Sequence, residues 1–379
     1  TQSRSSAASD VYKRQMLYIR QDIRQAIHTY AKRWKQLKTI TSVELAKLAG
    51  VSQSTVSRCL NDSPLVSEET KARVKKLANK YSFQFNTNAR GLKTNRTGVI
   101  GYVFSEDFTG FANHYIQSDI YYRIRMQLVK EGLDLVPVFD EGKYGESFSI
   151  EKSISNRRFD ALIFNRPQVD ERVKSLLHET KIPFIYIYDT NESLDESYMI
   201  APSHSQIGSL VGKTFCEAGY TRFVEIIGPQ DRIDVIHKHE AFARVLHQHG
   251  HKLSDTHILH ADYNLKQATQ QVLEHIELFQ PGTACFAQND MMALGALEAL
   301  REQGIQVPDD VALIGSDNIP MGSWFTPHLT TVAIDYDKII NLTVEWVMAM
   351  ASNKLPDTYR YILDSKLIIR DTFCPSAGE

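Results

Sequence analysis

The sequence predicts an α/β protein in which a small all-helical module precedes a body of two lobes, each a doubly wound parallel sheet. From Gly98 onward, short apolar strands alternate with amphipathic helices, which is typical of parallel sheets covered on both faces. Before Gly98 the apolar residues follow a helical period and the segment is basic. At 379 residues the chain is long enough for two or three domains.

Residues 41–61, TSVELAKLAGVSQSTVSRCLN, predict two short helices joined by a tight turn. Ser42 is the expected N-cap of the first helix, Gly50 allows the turn, and Ser52 is the expected N-cap of the second. The expected shared core is Leu45, Ala49, Val51, Val56 and Leu60. An ordinary helical hairpin is one reading of this pattern. The other is a helix-turn-helix, because the second helix would expose short polar side chains suited to base edges in a major groove.

The following segment favours the second reading. Ser67 is the expected N-cap of a third helix, and an N-x-x-A-x-x-L pattern follows at 86–92. In this order, the motifs resemble the headpiece and hinge of the lactose-repressor/galactose-repressor (LacI/GalR) family. The resemblance implies that DNA is contacted by Ser52, Gln53, Ser54, Thr55, Ser57, Arg58 and Asn61, and by Asn86, Ala89 and Leu92 of the hinge. Leu92 would wedge into the minor groove; alternatively, it is a linker leucine that packs on the body.

The charge distribution agrees with a nucleic-acid partner at one end. The net charge is −2, but residues 38–96 hold eleven Lys and Arg against four Asp and Glu. Residues 1–37 carry +6, so residues 97–379 carry −15. A basic head on an acidic body fits operator DNA as the partner of the head.

The boundaries expected from these patterns are a headpiece at 38–83, a hinge helix and linker at 84–97, and a body at 98–379. Residues 1–37 depart from the family pattern. They are either an additional native helix or non-native sequence upstream of the true start.

The cysteine spacing and the hydropathy of the sequence indicate the cellular compartment. Cys59, Cys216, Cys285 and Cys374 show no C-x-x-C spacing, which favours a reducing compartment and gives no zinc site. No apolar run approaches the roughly 20 residues that span a bilayer, and no secretory signal is evident. We expect a cytoplasmic protein with no membrane partner, no metal and no cofactor.

The body resembles the type I periplasmic sugar-binding proteins, a resemblance that implies two lobes joined by crossover segments near 199–203, 330–335 and 353–358. Lobe 1 is expected at about 98–200 and 335–354, and lobe 2 at about 203–330 and 358–372. Seven strands are predicted, at 99–104, 133–139, 161–165, 183–188, 222–228, 284–288 and 311–316. Seven helices are predicted, near 113–131, 170–180, 204–218, 235–249, 264–279, 290–303 and 337–352.

Ligands of such sheets lie beyond the carboxyl ends of the strands. The strand ends, together with the family resemblance, predict an effector site made of Ser105, Tyr115, Asn165, Arg166, Asp189, Arg232, Lys238, Tyr263, Asn289, Asp317 and Tyr336. Asp317 lies in a motif, Ile-Gly-Ser-Asp-Asn, that matches the family's ligand-binding Asp, and it is expected to accept hydrogen bonds from two effector hydroxyls. Tyr263 is expected to stack on the ring of a sugar.

Cations at this site leave the charge of the effector open. Lys238 stands where the family has an effector-contacting Arg. Its ammonium group is a compact point charge, whereas the planar guanidinium of Arg can donate two parallel hydrogen bonds. Arg166 and Arg232 could select an anionic sugar, or they could be surface arginines paired with Asp231, Asp234 or Glu171.

The histidines at 237, 239, 247, 249 and 251 predict a solvated helix end better than a metal site, because i and i+2 point apart on a helix. No G-x-S-x-G, P-loop or G-x-G-x-x-G indicates an enzyme. The predicted function is a DNA-binding transcription regulator, a repressor of a carbohydrate-use operon. Its effector is a sugar or sugar acid, and it assembles as a homodimer or tetramer. A transport-type sugar-binding protein and a sugar-active enzyme are the alternatives.

Overall fold

The computed structural model describes residues 40–60, 62–81, 83, 96–104, 114–139, 150–165, 171–188 and 198–375. The chain divides into two compact units, one ending at Ala89 and the other beginning at Arg90. Each unit has its own buried core.

The N-terminal unit contains three helices, α1 (Ser42–Ala49), α2 (Gln53–Leu60) and α3 (Glu68–Lys80). Gly50 ends α1 with φ +65°, as the turn requires. Thr41, and not Ser42, is the N-cap of α1, so that prediction was wrong. Thr41 and Glu44 form a reciprocal capping box, in which the Glu44 carboxylate accepts from the Thr41 amide at 2.7 Å. The threonine is preferred because only its position places an acid three residues later.

The core of this unit is built from the predicted faces of α1 and α2. Leu45, Ala49 and Val56 are buried, and Val51 and Leu60 pack against them. Cys59, which was not among the expected core residues, is fully buried in the same core. Ser67 caps α3 as predicted, accepting from the Thr70 amide.

The second unit contains two six-stranded sheets. Sheet 1 has the order β11-β5-β4-β3-β1-β2 and is parallel throughout. Its strands are β1 (Val99–Phe104), β2 (Asp134–Val138), β3 (Ala161–Asn165), β4 (Phe184–Ile187), β5 (Tyr198–Pro202) and β11 (Arg360–Leu363).

Sheet 2 has the order β12-β10-β9-β8-β6-β7, and only its edge strand β12 is antiparallel. Its strands are β6 (Arg222–Ile227), β7 (Ile258–His260), β8 (Thr283–Ala287), β9 (Val311–Asp317), β10 (Thr330–Ala333) and β12 (Lys366–Ile368). The predicted α/β class with two parallel sheets is confirmed, and each of the seven predicted strands lies within one residue of its place.

Helices cover both sheets. In chain order they are α4 (Tyr115–Lys130), α5 (Ile150–Ser155), α6 (Glu171–Thr180), α7 (His204–Glu217), α8 (Ile233–Gln248), α9 (Leu265–Glu274), α10 (Asp290–Glu302) and α11 (Tyr336–Ala351). Short 3₁₀ turns lie at Asp255–His257, Ile276–Leu278 and Pro320–Ser323. Helix α5, which was not predicted, is only six residues long.

The chain crosses between the sheets three times. It leaves sheet 1 after β5, returns from β10 to α11, and passes from β11 to β12. The third crossing was predicted near 353–358 and lies later, at 364–365. The segment that includes β11 pairs with β5 and therefore belongs to sheet 1, not to the second lobe. Likewise, the residues expected as the first two crossovers contain β5 and β10, so the crossings themselves are shorter than predicted.

Helices α7 and α8 pack closely because small residues face the contact. A Cβ atom placed on Gly208 would lie 2.0 Å from the carbonyl oxygen of Lys238, whereas one on Gly212 would lie 3.1 Å from the side chain of Val245. A backbone atom cannot move aside as a side chain can. Gly208 therefore fixes the position of the backbone that carries Lys238.

We expect Gly208→Ala to lower the thermal stability of the protein by the overpacking cost of about 1–3 kcal/mol or more, because α8 must shift. Gly212→Ala is the matched control and should cost less, since Val245 can adjust. Calorimetric unfolding of the two variants measures the difference. Equal melting temperatures for both variants would contradict the close approach at Gly208.

Candidate functional site

A cavity lies at the carboxyl ends of the strands, between elements of the two sheets. Sheet 1 contributes Tyr188, which follows β4, and residues 114–117 at the start of α4. Elements of sheet 2 contribute Arg232, Asp234, Lys238, Tyr263, Asn289 and Asp317, with Met291 and Ile319 as apolar neighbours. Both sheets thus provide side chains to one cavity, as the topology of open α/β sheets predicts.

Asp317 ends β9 and is almost fully buried. Its Oδ1 atom accepts hydrogen bonds from the hydroxyls of Tyr336 at 3.1 Å and Tyr188 at 3.4 Å. Burial raises the pKa of Asp317 to about 7, against the lowering effect of the Lys238 charge. The carboxyl group therefore changes its charge near neutral pH.

Asp234, in the first turn of α8, has the opposite character. Its carboxylate lies 3.2 Å from the Lys238 ammonium and 3.7 Å from Nε of Arg232, and it accepts from the Tyr263 hydroxyl at 2.7 Å. Burial acts to raise the pKa of Asp234, but the Lys238 charge, the largest of the lowering causes, holds it below the ordinary value, and the Arg232 charge lowers it further. Asp234 is therefore an ionised anchor for two cations and a tyrosine.

Tyr263 takes its place because Gly228 has no side chain. A Cβ atom on Gly228 would lie 2.5 Å from the Tyr263 ring. Tyr263 also has a left-handed backbone, with φ +59°, and its hydroxyl is held by Asp234. The ring is thereby fixed as one wall of the cavity.

Asn289 and Asp290 divide their roles. Asn289 caps α10, accepting from the Met292 amide at 2.8 Å, and lines the cavity. Asp290 is fully buried and accepts from the Ile319 amide and the Thr331 hydroxyl. It therefore ties the segment after Asp317 to β10.

The structure brings together most of the predicted effector residues that it describes. Six line the cavity, namely Tyr115, Arg232, Lys238, Tyr263, Asn289 and Asp317, and Tyr336 reaches it through Asp317. Asn165 does not line it: its side chain is fully buried and donates to the Tyr102 hydroxyl at 2.9 Å. Ser105, Arg166 and Asp189 lie outside the described residues. Which of these residues bind an effector stays a prediction.

Tyr188 and Asp234 line the cavity but were absent from the predicted site, and so was His204, which does not line the cavity but contacts Tyr188. Tyr188 and Asp234 both follow strands, so the strand-end rule could have included them. His204 begins α7, and its Nε2 atom lies 3.1 Å from the Tyr188 carbonyl oxygen. Burial lowers the pKa of His204 to about 4, so the ring is neutral at physiological pH. Nothing in the sequence marks this contact, because it joins segments on either side of the first crossing.

The second alternative for Arg232, in which it pairs with an acid, is correct in part, because Arg232 has an acid beside it but is not a surface residue. Its side chain is only 12 % exposed, and Asp234 is beside it. Arg232 therefore lines the cavity and is at the same time paired with an acid, as Lys238 is.

The clustered histidines do not form a metal site in the part of the chain that the structure describes, where no suitable group of three His, Cys, Asp or Glu occurs. His239 instead binds Glu225 at 2.6 Å, His249 binds a backbone carbonyl, and His251 packs against Phe223.

In the N-terminal unit, α2 exposes Ser52, Gln53, Ser54 and Arg58, whereas Thr55 and Ser57 are half-buried. Ser52 caps the helix by accepting from the Thr55 amide at 3.1 Å. Gln53 donates to the Ser42 hydroxyl at 2.8 Å. Within the described residues, Ser42 thus engages one donor of the exposed Gln53 amide. Asn61, Asn86, Ala89 and Leu92 lie outside the described residues.

Two family models match these two units. Residues 41–86 match the bacterial regulatory proteins of the lacI family, and residues 213–373 match a periplasmic binding protein-like domain. The chain belongs to the LacI family. It is therefore a DNA-binding transcriptional regulator and not an enzyme, as the sequence analysis predicted.

Relatives that match over nearly their whole length are also transcriptional repressors. The chain is 26 % identical over 337 residues to the probable HTH-type transcriptional repressor ExuR of Bacillus subtilis, covering 88 % of this chain and 98 % of that protein. It is 26 % identical over 335 residues to the HTH-type transcriptional repressor PurR of Aliivibrio fischeri, with the same coverage.

Solved structures show the same fold. The lac repressor dimer bound to operator and the anti-inducer ONPF has a TM-score of 0.75 at 22 % identity, covering 88 % of this chain and 99 % of that one. The complex of the transcriptional regulator CelR with cellobiose has a TM-score of 0.65 at 22 % identity, covering 88 % and 100 %. Among the described residues of the LacI-family chain, no helix is long and apolar enough to cross a membrane.

Arg58 is the longest exposed side chain on α2, and we expect it to contact a base edge. Arg58→Ala should weaken binding to a selected operator sequence by about 1–3 kcal/mol while sparing binding to random DNA. Fluorescence anisotropy on both DNAs measures this, with Lys47→Ala on α1 as a charge-matched control. Equal losses of Arg58→Ala on operator and random DNA would assign Arg58 to phosphate contacts.

Proposed function

We propose that this regulator represses a carbohydrate-use operon and that a sugar or sugar acid bound in the cavity controls its affinity for operator DNA. The observation that supports this most strongly is Asp317, a buried carboxylate at a strand end whose neighbours in the cavity are tyrosines, an amide and two cations. Carboxylates and amides suit the hydroxyls of a sugar, and tyrosine rings suit its C–H faces.

The relatives support both parts of the proposal. ExuR and PurR are named as repressors, and the related structures hold cellobiose or operator DNA. We carry the repressor role and the carbohydrate class to this chain as proposals. The names of these relatives do not identify the effector or the operon of this chain.

The cations at the cavity do not decide whether the effector is charged. Lys238 is 1 % exposed at its side chain and shares Asp234 with Arg232. The cations of this cluster thus have an acid beside them already, so their presence does not by itself favour a sugar acid over a neutral sugar. A screen must therefore include both classes.

The proposed domains are a headpiece at 38–83, a hinge at 84–97 and an effector-binding body at 98–379. We propose that the protein acts in the cytoplasm as a homodimer or a tetramer of such dimers. The exposed apolar side chains Tyr122, Met126 and Val129 recur at helical spacing on α4 and supply a candidate subunit contact. A hinge contact through Asn86, Ala89 and Leu92 remains part of the proposal.

The two alternatives are less favoured. A transport-type sugar-binding protein would share the body but not the lacI-family headpiece at 41–86. A sugar-active enzyme disagrees with membership of a family of regulators.

A thermal-shift screen across neutral sugars, sugar acids and sugar phosphates tests the effector part. A ligand at about 100 times its dissociation constant adds about 2.7 kcal/mol to the free energy of unfolding, which is readily detected. In parallel, selection from random DNA tests the operator part. Stabilisation by nucleobases but by no carbohydrate would contradict the proposed effector class.

The raised pKa of Asp317 predicts a pH dependence of effector binding. Effector hydroxyls donate to the ionised carboxylate and therefore lower its pKa in the complex below the value of about 7 in the free protein. Binding thus releases a proton at low pH. We expect the affinity for a carbohydrate found in the screen to increase from about pH 6 to about pH 8 and then to level off.

Asp317→Asn is the control for this prediction. It should remove the pH dependence and weaken effector binding by about 1.5–3 kcal/mol at high pH, because the charge-assisted bond is lost. Operator binding should be retained. Calorimetric titration at several pH values decides the matter, and an affinity in the wild-type protein that is flat or decreases with pH would contradict it.

A further inference from the structure

Asp317 presents its two carboxylate oxygens to different surroundings. The hydroxyls of Tyr336 and Tyr188 both donate to Oδ1, at 3.1 Å and 3.4 Å. Oδ2 makes no hydrogen bond to any residue that the structure describes, and it is not fully enclosed, because Asp317 lines the cavity. One oxygen is therefore occupied by the protein, and the other faces the cavity.

No cation in the described ranges lies within ion-pair distance of Asp317, although Lys238 acts on it from farther away. The charged groups that face it are Lys238 and Asp234 from α8 and Asp290 from α10. Two neutral hydroxyls are thus the direct partners of this buried carboxyl group. Its backbone adds a constraint, since φ is +119°, a value that residues with a side chain rarely adopt.

The two tyrosines come from different elements. Tyr188 follows β4 of sheet 1 and has φ +65°, whereas Tyr336 is the first residue of α11, directly after the second crossing. Their rings lie 6.0 Å apart, and the Tyr188 ring also contacts the ring of His204. Both hydroxyls are thereby held at one point, on a carboxylate that belongs to sheet 2.

We propose that Tyr188 and Tyr336 are positioning residues that hold Oδ1 of Asp317 and so turn Oδ2 toward the effector. The inference rests on the proposed function of the cavity. It has a consequence for specificity: the effector meets a single carboxylate oxygen. Two vicinal hydroxyls of the effector therefore cannot each donate to a different carboxylate oxygen of Asp317. If both donate to Asp317, both must donate to Oδ2.

The tyrosine hydroxyls favour the ionised carboxylate, because they donate to it. The Tyr336 hydroxyl lowers the pKa of Asp317, so its removal should raise that pKa further. A carboxyl group whose pKa is higher in the folded than in the unfolded protein lowers folded-state stability as the pH rises through the folded value. The loss of stability in a Tyr336→Phe variant should therefore grow with pH.

The first experiment needs no ligand. The melting temperature of the full chain is measured between about pH 5.5 and pH 8.5 for the wild type, Tyr336→Phe, Tyr188→Phe and Tyr198→Phe, each also in an Asp317→Asn background. Tyr198 is the matched control, since its hydroxyl donates to the Pro356 carbonyl oxygen at 3.4 Å.

We expect the deficit in melting temperature of Tyr336→Phe to widen with pH, and that of Tyr188→Phe to widen less, because its bond is longer. The widening should vanish in the Asp317→Asn background, and Tyr198→Phe should show a deficit that does not change with pH. A constant deficit for Tyr336→Phe, or one that widens equally in the Asp317→Asn background, would overturn the inference.

The second experiment uses D-glucose and D-glucuronate as probes in calorimetric titrations at about pH 8. If Tyr336 positions Asp317, Tyr336→Phe should weaken the binding of a probe by about threefold to tenfold. Unchanged or tighter binding would mean that the tyrosine competes with the ligand, and it would overturn the inference. If neither probe binds the wild type, that result counts against the proposed effector class, and the melting data still decide the role of the tyrosines.

Discussion

The cavity depends on the way the chain crosses between its two sheets. Parallel strands bring all their carboxyl ends to one edge, and the crossings bring the edges of both sheets to one place. Tyr188, Tyr336 and Asp317 are far apart in the sequence and meet only because β4, α11 and β9 end or begin there. A change that shifts one sheet against the other therefore changes the surroundings of Asp317 directly, which is the property that an effector-controlled regulator needs.

Two buried carboxylates in this cavity show how partners decide charge. Asp234 and Asp317 are similarly buried, but the pKa of Asp234 is lowered by Lys238 and Arg232, whereas burial raises that of Asp317 to about 7. The ionised Asp234 holds Lys238 and Tyr263 in place, and its bonding capacity is largely used within the protein. Asp317 uses only Oδ1 for protein hydrogen bonds among the described residues, so we propose that Asp234 has a structural role and Asp317 a binding role.

Much of the fold could be predicted from the sequence, because buried parallel strands such as β1 and β9 are nearly continuous apolar runs. Of the five missed strands, β7 and β12 are edge strands of three residues each, and β12 exposes Lys366. Two others, β5 and β10, lie where crossover segments were expected. The strand-end rule located Asp317 and Asn289. It could not find the hydrogen bonds of Tyr188 and Tyr336 to Asp317, or the packing of the Tyr263 ring against Gly228. These depend on tertiary contacts between distant segments.

The most direct test of the account is whether one ligand couples the cavity to DNA. Operator binding by the full chain is measured by fluorescence anisotropy with and without a saturating carbohydrate, in the wild type and in Asp317→Ala. We expect the carbohydrate to change the operator affinity of the wild type by about fivefold or more, the usual range of allosteric coupling, and to leave that of Asp317→Ala unchanged. A carbohydrate that binds the cavity tightly and leaves wild-type operator affinity unaltered would contradict it.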